Sequence, residues 1–180
     1  MKRAAKMLAG FLGVCSIFAV TARAHRLDEY LQASRLLIAK DHVAIEMDLT
    51  PGIDVAPFVF SLINKDHDGQ ISESEGRAYA NQVLNELVLE MDGHREKLAL
   101  VNYEFPNFEQ MRTGEGPIRI EALAKWRGVT GDHSLFYQNN HQSRFGVYLV
   151  NALRPESDIE ITKQDRDSRQ REMRLSFTIK

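Results

Sequence analysis

The sequence predicts a mainly β domain, an antiparallel sandwich interrupted by one helical hairpin, and three observations lead there. Apolar and polar residues alternate between positions 30 and 50. After residue 84, short apolar segments bounded by Gly, Asn, Asp or Pro follow one another closely, and only 54–87 changes to the spacing of a helix. Short strands with tight connections favour antiparallel layers over alternating parallel β–α units.

The first element is a leader outside the fold. Lys2, Arg3 and Lys6 precede an apolar run of 14 residues, 7–20, and then the small-residue pattern Ala22-Arg23-Ala24. That is the arrangement of a secretory signal peptide, residues 1–24, cleaved before His25. The run is short for a bilayer core, which takes about 20 residues, and Val14 is too bulky before Cys15 for a lipoprotein signal. The expected product is one exported domain, 25–180, periplasmic or secreted, with no membrane span after cleavage.

Within that domain, Val43, Ile45, Met47 and Leu49 share one side of a strand, and Lys40-Asp41-His42 forms the turn from the strand before it. Thr50-Pro51-Gly52 closes the hairpin. Asp54 is the expected helix cap, with Pro57 tolerated in the first turn. Beyond the helical stretch, Asp92-Gly93 marks a hairpin, and four or five further strands are read in "PIRIEALAKW", "HSLFYQN", "FGVYLVNAL", "DIEITKQ" and "EMRLSFTI". The whole is expected to be an immunoglobulin-like sandwich carrying the insertion at 54–87.

Charge narrows the class of partner. The leader holds four of the 23 Lys and Arg and none of the 25 Asp and Glu, so the remaining 156 residues carry 19 against 25, a formal charge of −6. An acidic chain without a basic stripe is ill suited to phosphates, so nucleic acid is not expected. The arginines of 154–174 alternate with acids and read as a solvated face. Cys15, the only cysteine, leaves with the leader, so the exported domain has no disulfide or thiol chemistry.

One stretch concentrates donor oxygens: "INKDHDGQISESEG", residues 63–76. A hard cation such as calcium takes six to eight oxygens, which a short loop supplies when side chains converge at alternate positions around a sharp glycine turn. With Asn64 as position 1, Asp66 and Asp68 are positions 3 and 5, Gly69 is 6, Gln70 offers its carbonyl at 7, Ser72 is 9 and Glu75 is 12. The flanks keep helical spacing: Ala56, Val59, Phe60 and Ile63 before the loop, and Gly76, Tyr79, Ala80 and Val83 after it.

Loop and flanks together resemble the EF-hand family over 54–87. The resemblance implies a calcium ion held by Asn64, Asp66, Asp68, Gln70, Ser72 and Glu75, with Glu75 binding through both oxygens and Ile71 in the apolar position of the loop. Asn64 replaces the usual first aspartate, so the loop brings three formal negative charges instead of four and weaker binding is expected. No second loop of this type occurs. Magnesium, which demands a rigid octahedron, suits so flexible a loop less well than calcium. The ion is expected to stabilise a structural or partner-binding module of a protein that is not an enzyme.

Other features give alternatives. A mature N-terminal His25 could chelate copper through its amine and imidazole, with a second ligand from His42, His67, His94, His133 or His141. "AHRLDEY", "DLTPG" and "YLVNAL" resemble the exported region of bacterial membrane proteins of the hydrogenase and urease accessory family, which implies nickel handling by an accessory domain. In "GDHS", 131–134, Asp, His and Ser are adjacent, but successive strand residues point apart and make no triad. Trp126, Phe136, Tyr137 and Tyr148 are expected in the core more than on a ligand platform.

Overall fold

A computed structural model describes residues 27–180, so the predicted leader, its cleavage point and His25 lie outside the described residues. In chain order the elements are β1 (Tyr30–Ile38), β2 (His42–Pro51), α1 (Ala56–Ile63), α2 (Glu73–Asn85), β3 (Leu87–Met91), β4 (His94–Arg95) and β5 (Leu98–Glu104). They are followed by α3 (Phe108–Thr113), β6 (Ile118–Lys125), β7 (Gly131–Asn139), β8 (Gly146–Ala152), β9 (Ile159–Arg166) and β10 (Glu172–Ile179).

Two five-stranded sheets result, ordered β5-β6-β2-β1-β8 and β4-β3-β7-β10-β9. The alternation that predicted β2 is its burial pattern, with Val43, Ile45, Met47 and Leu49 facing inward. Across the interior, Leu135, Tyr137, Met173, Leu175, Phe177 and Ile179 supply the second sheet's share of the core. Burying each of the larger aliphatic side chains contributes about 1.5–3 kcal/mol, which is what a domain without disulfides must rely on.

The expectation of a wholly antiparallel sandwich is corrected at one pair. β8 runs parallel to β1, from Tyr30 against Gly146 to Leu36 against Ala152. The two strands are joined through the opposite sheet and not by a tight turn, and only a tight turn forces antiparallel pairing. The Asp92-Gly93 hairpin is also shorter than predicted. Both residues take positive φ, 51° and 78°, as a two-residue turn requires. β4 then has only two residues before the chain crosses to pair Leu98 with Ala124 in the first sheet.

The helices cover one region of the sandwich. The first begins from Val55 and not from Asp54, with no side-chain cap, and Pro57 occupies its first turn. It buries Ala56, Val59, Phe60 and Ile63, while α2 buries Gly76, Tyr79, Ala80, Val83 and Leu84. Gly76 permits close approach, because a Cβ there would sit 3.1 Å from the Phe105 ring. α3 was not anticipated from sequence. Its signal was the capping pair Asn107 and Gln110 with Gly114 at the left-handed C-cap. Among the described residues no helix is long and apolar enough to cross a membrane.

Candidate metal site

The loop between α1 and α2 begins where Asn64 ends the first helix, its amide donating to the Phe60 carbonyl at 2.9 Å. Two residues then adopt the left-handed conformation: Gly69 at φ 85°, where glycine is cheap, and His67 at φ 61°, which sequence reasoning missed. Between these bends the aspartates fold back on the chain. Asp66 Oδ1 accepts the Asp68 amide at 3.1 Å and Asp68 Oδ1 accepts the Gln70 amide at 2.8 Å, successive Asx turns that coil the backbone inward.

Glu75 closes the loop. Its Oε1 accepts the amides of Lys65 at 2.6 Å and Asp66 at 3.3 Å, and its Oε2 accepts the Ser72 amide at 2.9 Å and hydroxyl at 2.7 Å. The same Ser72–Glu75 pair is the capping box of α2. The Ser72 hydroxyl, followed by the Ser72, Lys65 and Asp66 amides, lowers the Glu75 pKa from the ordinary 4.5 to about 2. The glutamate thus reaches from the first turn of α2 across to the end of α1 and stays ionised while doing so.

Asn64 leaves an orphan at the start of the loop. It is 3% exposed, and its Oδ1 has no hydrogen-bond partner. A buried carbonyl oxygen left unpaired costs free energy and calls for an explanation. Position 1 of the loop therefore holds a desolvated acceptor on the same short segment as the Asp66, Asp68 and Glu75 carboxylates, a donor set whose chemistry fits a hard cation.

The six sequence-predicted donors stand on one loop, but they are not gathered into a dense cluster. Among the described residues no three His, Cys, Asp or Glu side chains are placed together as a metal-holding group. One oxygen each of Asp66 and Asp68 and both oxygens of Glu75 accept backbone amides, and the remaining predicted donors are an amide, a hydroxyl and a main-chain carbonyl. Asp66, Asp68, Gln70 and Ser72 are exposed, whereas Ile71 is partly buried and packs against the core.

The histidines offered as a second ligand for His25 differ in availability. His141 is wholly buried, with Nδ1 2.7 Å from Glu86 Oε2 and Nε2 2.9 Å from the Tyr79 hydroxyl. His133 meets Asp92 Oδ2 at 2.8 Å and the Val129 carbonyl at 2.7 Å. Both rings are fully engaged. Of the others, His42 bonds Asp41 and His94 bonds the Asp92 carbonyl, each through Nδ1.

The "GDHS" residues do diverge: the carboxylate bound to His133 is Asp92, while Asp132 accepts the Thr178 hydroxyl at 2.6 Å. Of the four aromatics, Tyr137 and Tyr148 are buried and Trp126 and Phe136 partly so, Phe136 lying under the Arg174 guanidinium at 4.3 Å. In the charged 154–174 stretch, Arg166 turns to the Val150 carbonyl and Asn151, and Lys163 pairs with Asp165. Compared with known proteins, the chain matches no protein-family model, no curated protein and no solved structure.

Proposed function

We propose that residues 64–75 bind one calcium ion and that the ion stabilises an exported structural or partner-binding module, built on a scaffold we read as immunoglobulin-like. The observation that carries this reading is the buried, unpaired Oδ1 of Asn64 at the first position of a loop whose last position, Glu75, is already drawn across it. Asn64, Asp66, Asp68, Ser72 and Glu75 would hold the ion with the Gln70 carbonyl. Bound there, calcium supplies positive charge that offsets the repulsion among the loop carboxylates.

Dissociation constants of about 0.1–1 mM are typical of extracellular sites and suit a loop with three charges. The ion acts on stability by linkage: whatever binds only the folded state raises the free energy of unfolding. Titration calorimetry of residues 25–180, with unfolding temperature measured in parallel, tests the reading. Heat of binding and an upward shift at millimolar calcium are expected, and their joint absence rejects it.

A further inference from the structure

We propose that a proton on His141 and the cation in the 64–75 loop oppose each other through α2, so that acidification loosens α2 from the sandwich and weakens calcium binding. The inference rests on the calcium reading above and adds its regulation.

The geometry is a buried polar relay that crosses from α2 to the sandwich. Tyr79 lies on α2 one turn beyond Glu75, and its hydroxyl is 2.9 Å from Tyr30 Oη on β1 and 2.9 Å from His141 Nε2. His141 Nδ1 reaches Glu86, the C-cap of the same helix, at 2.7 Å. α2 is thus held to the sandwich at its middle and at its end by one imidazole. His141 is itself fixed by its main chain, whose carbonyl accepts from Gln32 and the Tyr148 hydroxyl and whose amide donates to Asn139.

The partners dictate the direction of every proton. Glu86 accepts, so Nδ1 carries hydrogen in the neutral ring and Nε2 accepts from Tyr79, whose own oxygen accepts from Tyr30. Each group is satisfied. A second proton on His141 makes Nε2 a donor, Tyr79 must turn its hydrogen toward Tyr30, and one hydroxyl hydrogen of the pair is left without an acceptor. Tyr30 is wholly buried and Tyr79 nearly so, which removes water as a substitute.

The charged surroundings do not rescue the imidazolium. Among the described residues, Glu86 is the acidic side chain in contact with the ring. The other ionisable groups facing the ring or its main chain are Tyr79 from α2, Tyr30 from β1 and Tyr148 from β8, while Arg169 and Arg171 act on Tyr148. Burial lowers the His141 pKa by more than Glu86 raises it. Because Glu75 and Tyr79 share a rigid turn, displacing Tyr79 moves the last ligand of the loop. By reciprocity, calcium must then oppose protonation of His141.

The test follows the His141 imidazole by NMR in the full exported domain from pH 7.5 to 4.5, with and without 10 mM calcium, beside calcium titrations of wild type and H141Q. Calcium is expected to lower the His141 midpoint by about one unit, the counterpart of a tenfold change in affinity. Wild type is expected to lose affinity on acidification about tenfold more than H141Q. A midpoint indifferent to calcium, in protein that demonstrably binds it, overturns the coupling while sparing the calcium reading. No calcium binding at any pH overturns both. The NMR arm needs no variant, so poor folding of H141Q leaves the proposal open to refutation.

Discussion

His133 and Asp92, distant in sequence, meet at 2.8 Å, and the other nitrogen of the ring faces the Val129 carbonyl at 2.7 Å. Both neighbours are acceptors, and only the protonated ring can donate to both at once, so the pair favours the imidazolium. Burial pushes this imidazole down, but Asp92 and Val129 outweigh it and raise its pKa above the ordinary 6.5. His141 lies on the other side of that value, lowered by burial. The two histidines therefore pull stability in opposite directions.

Folding stability is accordingly expected to peak near pH 6.5. The raised His133 contributes stability that is fully present below its unfolded value and lost as pH rises through the folded one. His141 takes up its proton more readily when unfolded, so its cost grows as pH falls below 6.5. Urea unfolding between pH 5 and 9 checks this. H133Q should flatten the alkaline limb and H141Q the acid limb, and a profile unchanged by either variant removes the assignment.

Asn64→Asp separates the cost of the loop from its use. Without calcium, a carboxylate at a position 3% exposed and lacking a partner should lower the unfolding temperature. With calcium, the added charge should tighten binding by about tenfold. Calorimetry of both forms reads the two effects, and a variant that is destabilised equally with and without calcium contradicts the placement of Asn64 at the ion.

How much of this was legible in the sequence follows from which physics was local. Val43, Ile45, Met47 and Leu49 announced β2 because period-two burial is written in a single strand. Ala56, Val59, Phe60 and Ile63 announced α1 in the same way. The parallel pairing of β1 with β8 was not legible, since it depends on how distant segments close around a core. Gln32 and Ser34 are polar residues on the buried face of β1, and they pair with Asn139, His141 and Tyr137 across the interior. Of the loop, the order of its oxygen-bearing side chains could be read. The burial of Asn64 and the relay from Tyr79 to His141 could not.

That interior polar set should be costly to interrupt. Gln32 donates to the His141 carbonyl and accepts from Asn139, both at 2.9 Å and both buried. Gln32→Leu keeps the volume and strands the Asn139 amide and a carbonyl lone pair. A loss of about 3 kcal/mol in chemical unfolding is expected, from about 1–3 kcal/mol for each abandoned group. A loss below about 1 kcal/mol indicates that water or a shifted Asn139 replaces the side chain.

Glu75 closes the capping box of α2 and, in the proposed site, ends the donor series of the loop, and Glu75→Gln distinguishes the two. Glutamine retains an oxygen for the Ser72 amide, and the capping box accepts Gln as readily as Glu. The start of α2 should therefore survive, with helical content by circular dichroism unchanged. What glutamine lacks is the charge and the second carboxylate oxygen, so calcium affinity should fall by at least about tenfold and the calcium-induced rise in unfolding temperature should vanish. The pH response gives an independent check. A carboxylate lowered to about 2 in the folded protein contributes stability that is present above its unfolded value of 4.5 and is lost as pH falls through 2. That part of the acid sensitivity should disappear in the variant. If Glu75→Gln instead unravels α2 while leaving calcium binding intact, the carboxylate serves the helix alone and the ion is held elsewhere.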